Sequence, residues 1–148
     1  MKLLFKVNSK LPQHTIEINT HPAEQKNWPN IEDILKQSET KMVLINVKNN
    51  RKVQVNQSQI IAIESEGRMC NVSTETGETF LLASRLKQIE ETNTSDAFLK
   101  INNHTIINKN FIKEFHSCGN AKIELILNNQ TRYFVSRHYL KNFRRHLR

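Results

Sequence analysis

Apolar and polar residues alternate with a period of two through most of the chain after residue 40. In Lys122-Ile123-Glu124-Leu125-Ile126-Leu127, the side chains of Ile123, Leu125 and Leu127 share one face of an extended strand. Asn128-Asn129 follows, then Thr131-Arg132-Tyr133-Phe134-Val135. Two such runs around an Asn pair predict a β-hairpin. The same pattern recurs in 41–47 and 51–55 around Asn49-Asn50, and in 69–74 and 79–83 around Thr76-Gly77. Further short strands are expected at 59–64, 105–108 and 111–115. Many short strands separated by regular turn signals predict a mainly β domain.

Helical spacing occurs in three places. Pro29 followed by Asn30-Ile31-Glu32-Asp33 opens one helix, with Asn30 as its expected cap and Ile31, Ile34 and Leu35 as its apolar stripe. The second covers 84–91, with Leu86 and Ile89 three apart. The third covers 136–148, with Ser136 expected as its cap. Around this last helix Tyr139, Leu140, Phe143 and Leu147 fall on one side, and Arg137, Lys141, Arg144, Arg145 and Arg148 on another. Ahead of these elements, 2–7 and 14–19 read as two possible strands. A composition change near residue 39 divides the chain into a small α+β extension, 1–39, and a mainly β domain, 40–148. Leu3, Leu4, Phe5, Ile16 and Ile18 make the extension too apolar for a free arm, so it is expected to add to the domain and help it dimerise.

A length of 148 residues suits one domain with an appendage. Only three glycines are present, but 18 asparagines can serve the tight turns, because Asn tolerates left-handed backbone. The two cysteines, Cys70 and Cys118, lack both a disulfide framework and metal-ligand spacing, which predicts free thiols in a reducing compartment. No apolar run is long enough to span a bilayer, and the first residues lack a signal-peptide pattern, so a cytoplasmic protein is expected. Charge adds the largest change to this picture. Residues 98–148 hold 10 Lys/Arg against 2 Asp/Glu, equal to the +8 of the full chain. A one-sided basic block predicts a polyanionic partner, most often nucleic acid.

Four landmarks in order resemble the LytTR family of bacterial DNA-binding domains. They are Ile60-Ile61-Ala62-Ile63-Glu64-Ser65-Glu66-Gly67; Phe80-Leu81-Leu82-Ala83-Ser84-Arg85-Leu86-Lys87-Gln88-Ile89; Phe98-Leu99-Lys100-Ile101-Asn102-Asn103-His104-Thr105-Ile106-Ile107-Asn108; and Val135-Ser136-Arg137-His138-Tyr139. The resemblance covers 41–147. It implies a stack of antiparallel β-sheets with short helices that reads double-stranded DNA through loops. It places one reading residue at Arg68 or Met69, another at Asn103 within Asn102-Asn103-His104, and a third at Arg137, with Lys100 at a phosphate-facing position. The residue types suit the task. An Arg fork fits guanine O6 and N7, an Asn amide fits adenine N6 and N7, and lysines meet phosphate. Lys141 and Arg144 are candidates for further backbone contact.

The resemblance also implies a homodimer on repeated half-sites. Many family members carry a phosphoacceptor receiver domain. Here Asp33 and Asp96 are the only aspartates, and 1–39 is too short for such a domain, so the chain resembles short receiver-less regulators. Relatives of that kind are often encoded beside a small membrane protein that controls them. A basic β-rich domain also fits RNA or ribosome binding, but the sequence shows no row of aromatics on one strand face. No cofactor, metal site, small-molecule substrate or catalytic set is expected. His104, His116, His138 and His146 lack ligand spacing, and Ser136 beside Arg137-His138 lacks an acid partner. Tyr133, Phe134, Tyr139 and Phe143 are expected to serve core packing, with at least one of Tyr133 and Phe134 facing inward.

Overall fold

The structure is a computed structural model that describes all residues except His14, Thr94 and Arg148, and only the backbone of Gln37, Ser38 and Glu39. Ten strands and three α-helices follow in chain order among the described residues. They are α1 (Trp28–Glu39), β1 (Lys41–Asn46), β2 (Lys52–Asn56), β3 (Ile60–Glu66), β4 (Met69–Thr74), β5 (Thr79–Leu82), α2 (Leu86–Thr92), β6 (Phe98–Asn102), β7 (Thr105–Asn108), β8 (Ile112–Ser117), β9 (Ile123–Leu127), β10 (Arg132–Val135) and α3 (Leu140–His146). Seven strands form one antiparallel sheet in the order β2-β1-β5-β4-β3-β7-β6, and three form a second, β10-β9-β8.

The three predicted hairpins are β1–β2, β4–β5 and β9–β10. The β4–β5 turn uses Gly77 at φ 82°, and the other two use asparagines. Asn50 takes φ 57°, and Asn49 Oδ1 accepts the Arg51 amide at 3.0 Å. At the β9–β10 turn Asn129 Oδ1 accepts the Thr131 amide at 3.1 Å, while Gln130 takes the left-handed backbone. These side chains replace backbone turn bonds.

The larger sheet has a core on each face. Ile61, Ala62, Leu99, Ile101 and Ile107 face the small sheet's Ile123, Leu125, Leu127 and Val135, with Leu140 and Phe143 of α3 closing the space. Leu44, Val55, Ile60, Ile63, Cys70, Val72, Phe80 and Ile106 form the other core with Leu86 and Ile89 of α2. Ile106 and Ile107 are neighbours that serve opposite cores, as alternation along a central strand requires. The hydroxyl of Tyr133 donates to the Glu64 carboxylate, linking the small sheet to β3. Burial, and then this neighbouring carboxylate, push the phenol well above its ordinary pKa. Burial also raises the Cys70 thiol, while Cys118 is exposed.

Three expectations need correction. Neither 2–7 nor 15–19 forms a strand, and the remaining residue of the second expected strand, His14, lies outside the described residues. Leu3, Leu4, Phe5, Ile16 and Ile18 are exposed rather than packed. Apolar content alone had suggested strands, but a strand needs a hydrogen-bonding edge, and no ladder includes these segments. Second, α1 starts at Trp28, so Asn30 lies inside it. A 3-10 turn, Pro22–Asn27, runs directly into the helix through helical backbone at Trp28, and Pro29 occupies the first turn, where its missing N–H is harmless. Third, Arg137–Tyr139 is a 3-10 turn, and α3 begins only at Leu140. Ser136 offers its backbone carbonyl to the Tyr139 amide at 2.9 Å and makes no side-chain cap.

Candidate nucleic-acid interface

Antiparallel pairing brings the predicted loops to one end of the large sheet. β3 ends at Glu66, and Gly67-Arg68 turns the chain into β4, with Gly67 at φ 61°. β7 pairs antiparallel to β3, with Glu64 opposite Thr105, so the β6–β7 turn at Asn103-His104 lies beside that first loop. The Ser65 amide donates to the His104 carbonyl at 2.8 Å, and Ser65 Oγ lies 3.1 Å from His104 Nδ1.

The third loop reaches the same place across the free edge of β6. The Ser136 amide donates to the Ile101 carbonyl at 2.8 Å, and Asn102 Nδ2 donates to the Phe134 carbonyl at 3.3 Å. These bonds continue the large sheet's edge into the chain that leaves β10. The Tyr139 hydroxyl then donates to Asn103 Oδ1 at 2.9 Å. Loops far apart in sequence are therefore bonded side to side.

The named residues differ in how free they are. Arg68, Asn103, His104 and Arg137 are exposed, while Met69 is half-buried on β4 behind the turn. Arg137 opens the 3-10 turn that also carries Tyr139, so it is two residues from the side chain bonded to Asn103. Asn102 spends both ends of its amide internally, because its Oδ1 also accepts the His104 amide at 2.9 Å. That internal engagement shapes the turn that presents Asn103.

Lys100 is also engaged. Its Nζ lies 3.1 Å from Glu90 on α2 and 5.8 Å from the centre of the Tyr139 ring, with a side chain only 20% exposed. Burial opposes its charge, but the Glu90 carboxylate and Tyr139 outweigh that and raise its pKa. Lys141, Arg144 and Arg145 are exposed on α3 opposite the buried Leu140 and Phe143. Arg148 lies outside the described residues.

Tyr139 is the residue that sequence reasoning assigned incompletely. Its ring packs against the core as expected, yet its hydroxyl reaches the loop surface. The signal was a tyrosine where a phenylalanine would have filled the same apolar arc, since a buried-side phenol needs a partner for its hydroxyl. Phe115 and Phe134 are about half exposed, but they belong to opposite faces of the small sheet. Phe134 shares a face with Glu124 and His116, and Phe115 with Leu125 and Tyr133, so they form no stacking row. No helix among the described residues is long and apolar enough to cross a membrane.

Comparison with known proteins agrees with the fold. The family model described as the LytTr DNA-binding domain matches residues 50–148. A sensory transduction protein LytR of Staphylococcus saprophyticus is 30% identical over 107 residues, which are 72% of this chain and 42% of that protein. Its namesake in Streptococcus agalactiae is 31% identical over 98 residues, 66% of this chain and 39% of that protein. The chain thus matches about two fifths of the length of these relatives. A solved LytTr DNA-binding domain from Bacillus cereus superposes with a TM-score of 0.66 at 23% identity, covering 74% of this chain and 97% of that one. At that identity the likeness concerns the fold: antiparallel β-sheets with a few short helices.

Proposed function

The chain belongs to the LytTR family of DNA-binding domains, and from that premise we propose that its clustered loops read the major groove of a specific duplex to regulate transcription. The observation that carries this reading is the bonded loop cluster that exposes Asn103 and Arg137 from adjoining turns. Arg137 supplies a guanidinium fork for guanine, and Asn103 supplies a carboxamide for adenine. Arg68, at the tip of the β3–β4 hairpin, takes the remaining reading position in preference to the half-buried Met69. Lys141 and Arg144 are free to meet phosphates, whereas Lys100 is already paired with Glu90. His104 and Asn102 act mainly by shaping the turn.

The test starts from a duplex selected by the wild-type chain from a random pool. Arg137→Ala should weaken that duplex by about 5- to 150-fold, the equivalent of one bidentate base contact, and leave a scrambled duplex nearly unchanged. Equal losses on both duplexes would remove Arg137 as a base reader.

We further propose that two chains bind repeated half-sites about one helical turn apart. The exposed apolar residues Leu3, Leu4, Phe5, Ile16 and Ile18 support a pairing role for the extension. Sedimentation of the full chain and of a chain lacking residues 1–19 tests this. A mass per particle that is the same multiple of the chain in both would remove the extension from the dimer contact.

A further inference from the structure

We propose that Tyr139 sets the base specificity of Asn103 by fixing the orientation of its carboxamide. The inference rests on the reading of Asn103 as a base-contacting residue. A carboxamide is a two-faced group, and rotation by half a turn exchanges its acceptor and its donor. Adenine requires one orientation, with the oxygen toward N6 and the amino group toward N7. An exposed Asn at a turn would otherwise sample both orientations and bind each base edge less selectively.

Tyr139 removes that freedom. Its hydroxyl donates to Asn103 Oδ1 at 2.9 Å, which occupies one of the two lone pairs of that oxygen. The second lone pair and both amino hydrogens remain for a ligand. The phenol is itself held. Its ring packs against the core around Phe143 and Leu140, and its backbone amide is bound to the Ser136 carbonyl in the 3-10 turn.

The charge beside the phenol favours the same orientation. Lys100, anchored 3.1 Å from Glu90, places its ammonium 5.8 Å from the centre of the Tyr139 ring. A cation there discourages the phenol from accepting from the Asn103 amino group and favours donation from the phenol outward to the carboxamide oxygen. Lys100 therefore acts through Tyr139, which explains why a basic residue at the loop cluster is turned toward an acid instead of solvent. Glu90, Lys100, Tyr139 and Asn103 form one line running from α2 to the exposed turn.

Tyr139→Phe isolates the hydroxyl, because the ring and its packing are kept. Wild type, Tyr139→Phe, Asn103→Ala and the double variant are titrated against the selected duplex, its three single-base variants at the position where Asn103→Ala loses discrimination, and a scrambled duplex. Tyr139→Phe should lower discrimination at that position by about 5-fold, the scale of one neutral hydrogen bond, with unchanged scrambled binding. The double variant should match Asn103→Ala, because the two act as a unit. Losses that multiply in the double variant overturn the proposal, as does Tyr139→Phe with wild-type discrimination while Asn103→Ala is impaired. Asn103→Ala with wild-type discrimination at every position overturns the base-reading role of Asn103 itself. A thermal melt of Tyr139→Phe close to wild type separates the effect on discrimination from a loss of folding.

Discussion

Asn108 offers the sharpest check on how the two cores are joined. It is 1% exposed at the end of β7, yet fully polar. Its Nδ2 donates to the Ile60 carbonyl at 2.9 Å, and its Oδ1 accepts the Asn110 amide at 3.0 Å to cap the 3-10 turn Lys109–Phe111. The bond to the exposed residue Asn110 contributes about 1 kcal/mol net, and the buried Ile60 carbonyl left without this partner costs about 1–3 kcal/mol. Asn108→Ala should therefore cost about 2–4 kcal/mol. For a domain of this size that lowers the melting temperature by roughly 5–15 °C. Urea denaturation followed by far-UV circular dichroism measures the loss, with an unchanged m-value expected. A loss below about 0.5 kcal/mol would refute the assignment of Asn108 as a structural bridge. Asn108→Asp extends the test. It keeps the cap but faces a carboxylate toward the Ile60 carbonyl, so its native pKa must rise above the unfolded value of about 3.9. Between those two values the native chain holds a proton that the unfolded chain has released. Stability relative to wild type then recovers as pH falls through the native pKa, and the recovery is complete near the unfolded pKa. The alanine variant should show no such recovery.

Other substitutions probe separate parts of the argument. Phe143→Ala removes a side chain that is 1% exposed and meets Phe115 edge-on at 5.5 Å, so it should cost about 3–5 kcal/mol in the same denaturation assay. Lys100→Ala should leave the slope of log affinity against log salt unchanged, whereas Lys141→Ala should flatten it by about one unit if Lys141 meets a phosphate. A flattened slope for Lys100→Ala would show that its ammonium leaves Glu90 for the DNA. Tyr133 is held protonated by burial and by Glu64, so above about pH 10 the unfolded chain loses that proton first. Stability should then fall as pH rises past that point, and Tyr133→Phe should remove this part of the slope.

Local pattern carried much of the fold. The hairpins β1–β2, β4–β5 and β9–β10 were legible because each pairs neighbouring runs across a polar turn. The long-range pairings β1–β5 and β3–β7 were not, because period-two alternation names a face but not a partner. β6 was not anticipated as a strand, although Leu99 and Ile101 alternate with Lys100 and Asn102, because the run is only five residues long. The N-terminal segments misled in the opposite sense. Leu3, Leu4 and Phe5 are consecutive, and such a run lacks the alternation that fits one face of a strand. At the site, the family resemblance pointed to Asn103 and Arg137, but residue type alone could not separate Asn103 from Asn102, which is spent on Phe134 and His104. Nor could it show that Lys100 is claimed by Glu90, because α2 and β6 meet only in the folded chain.

The bonds between adjoining loops have a consequence for altering which duplex is chosen. Ser65 with His104, Asn102 with Phe134 and Asn103 with Tyr139 make each turn a wall of the next. A graft that replaces one turn with that of a relative brings new side chains but discards the seams that seat its neighbours. Retargeting should succeed when 66–69, 102–104 and 134–139 are exchanged together, as one interchangeable head on an unchanged body.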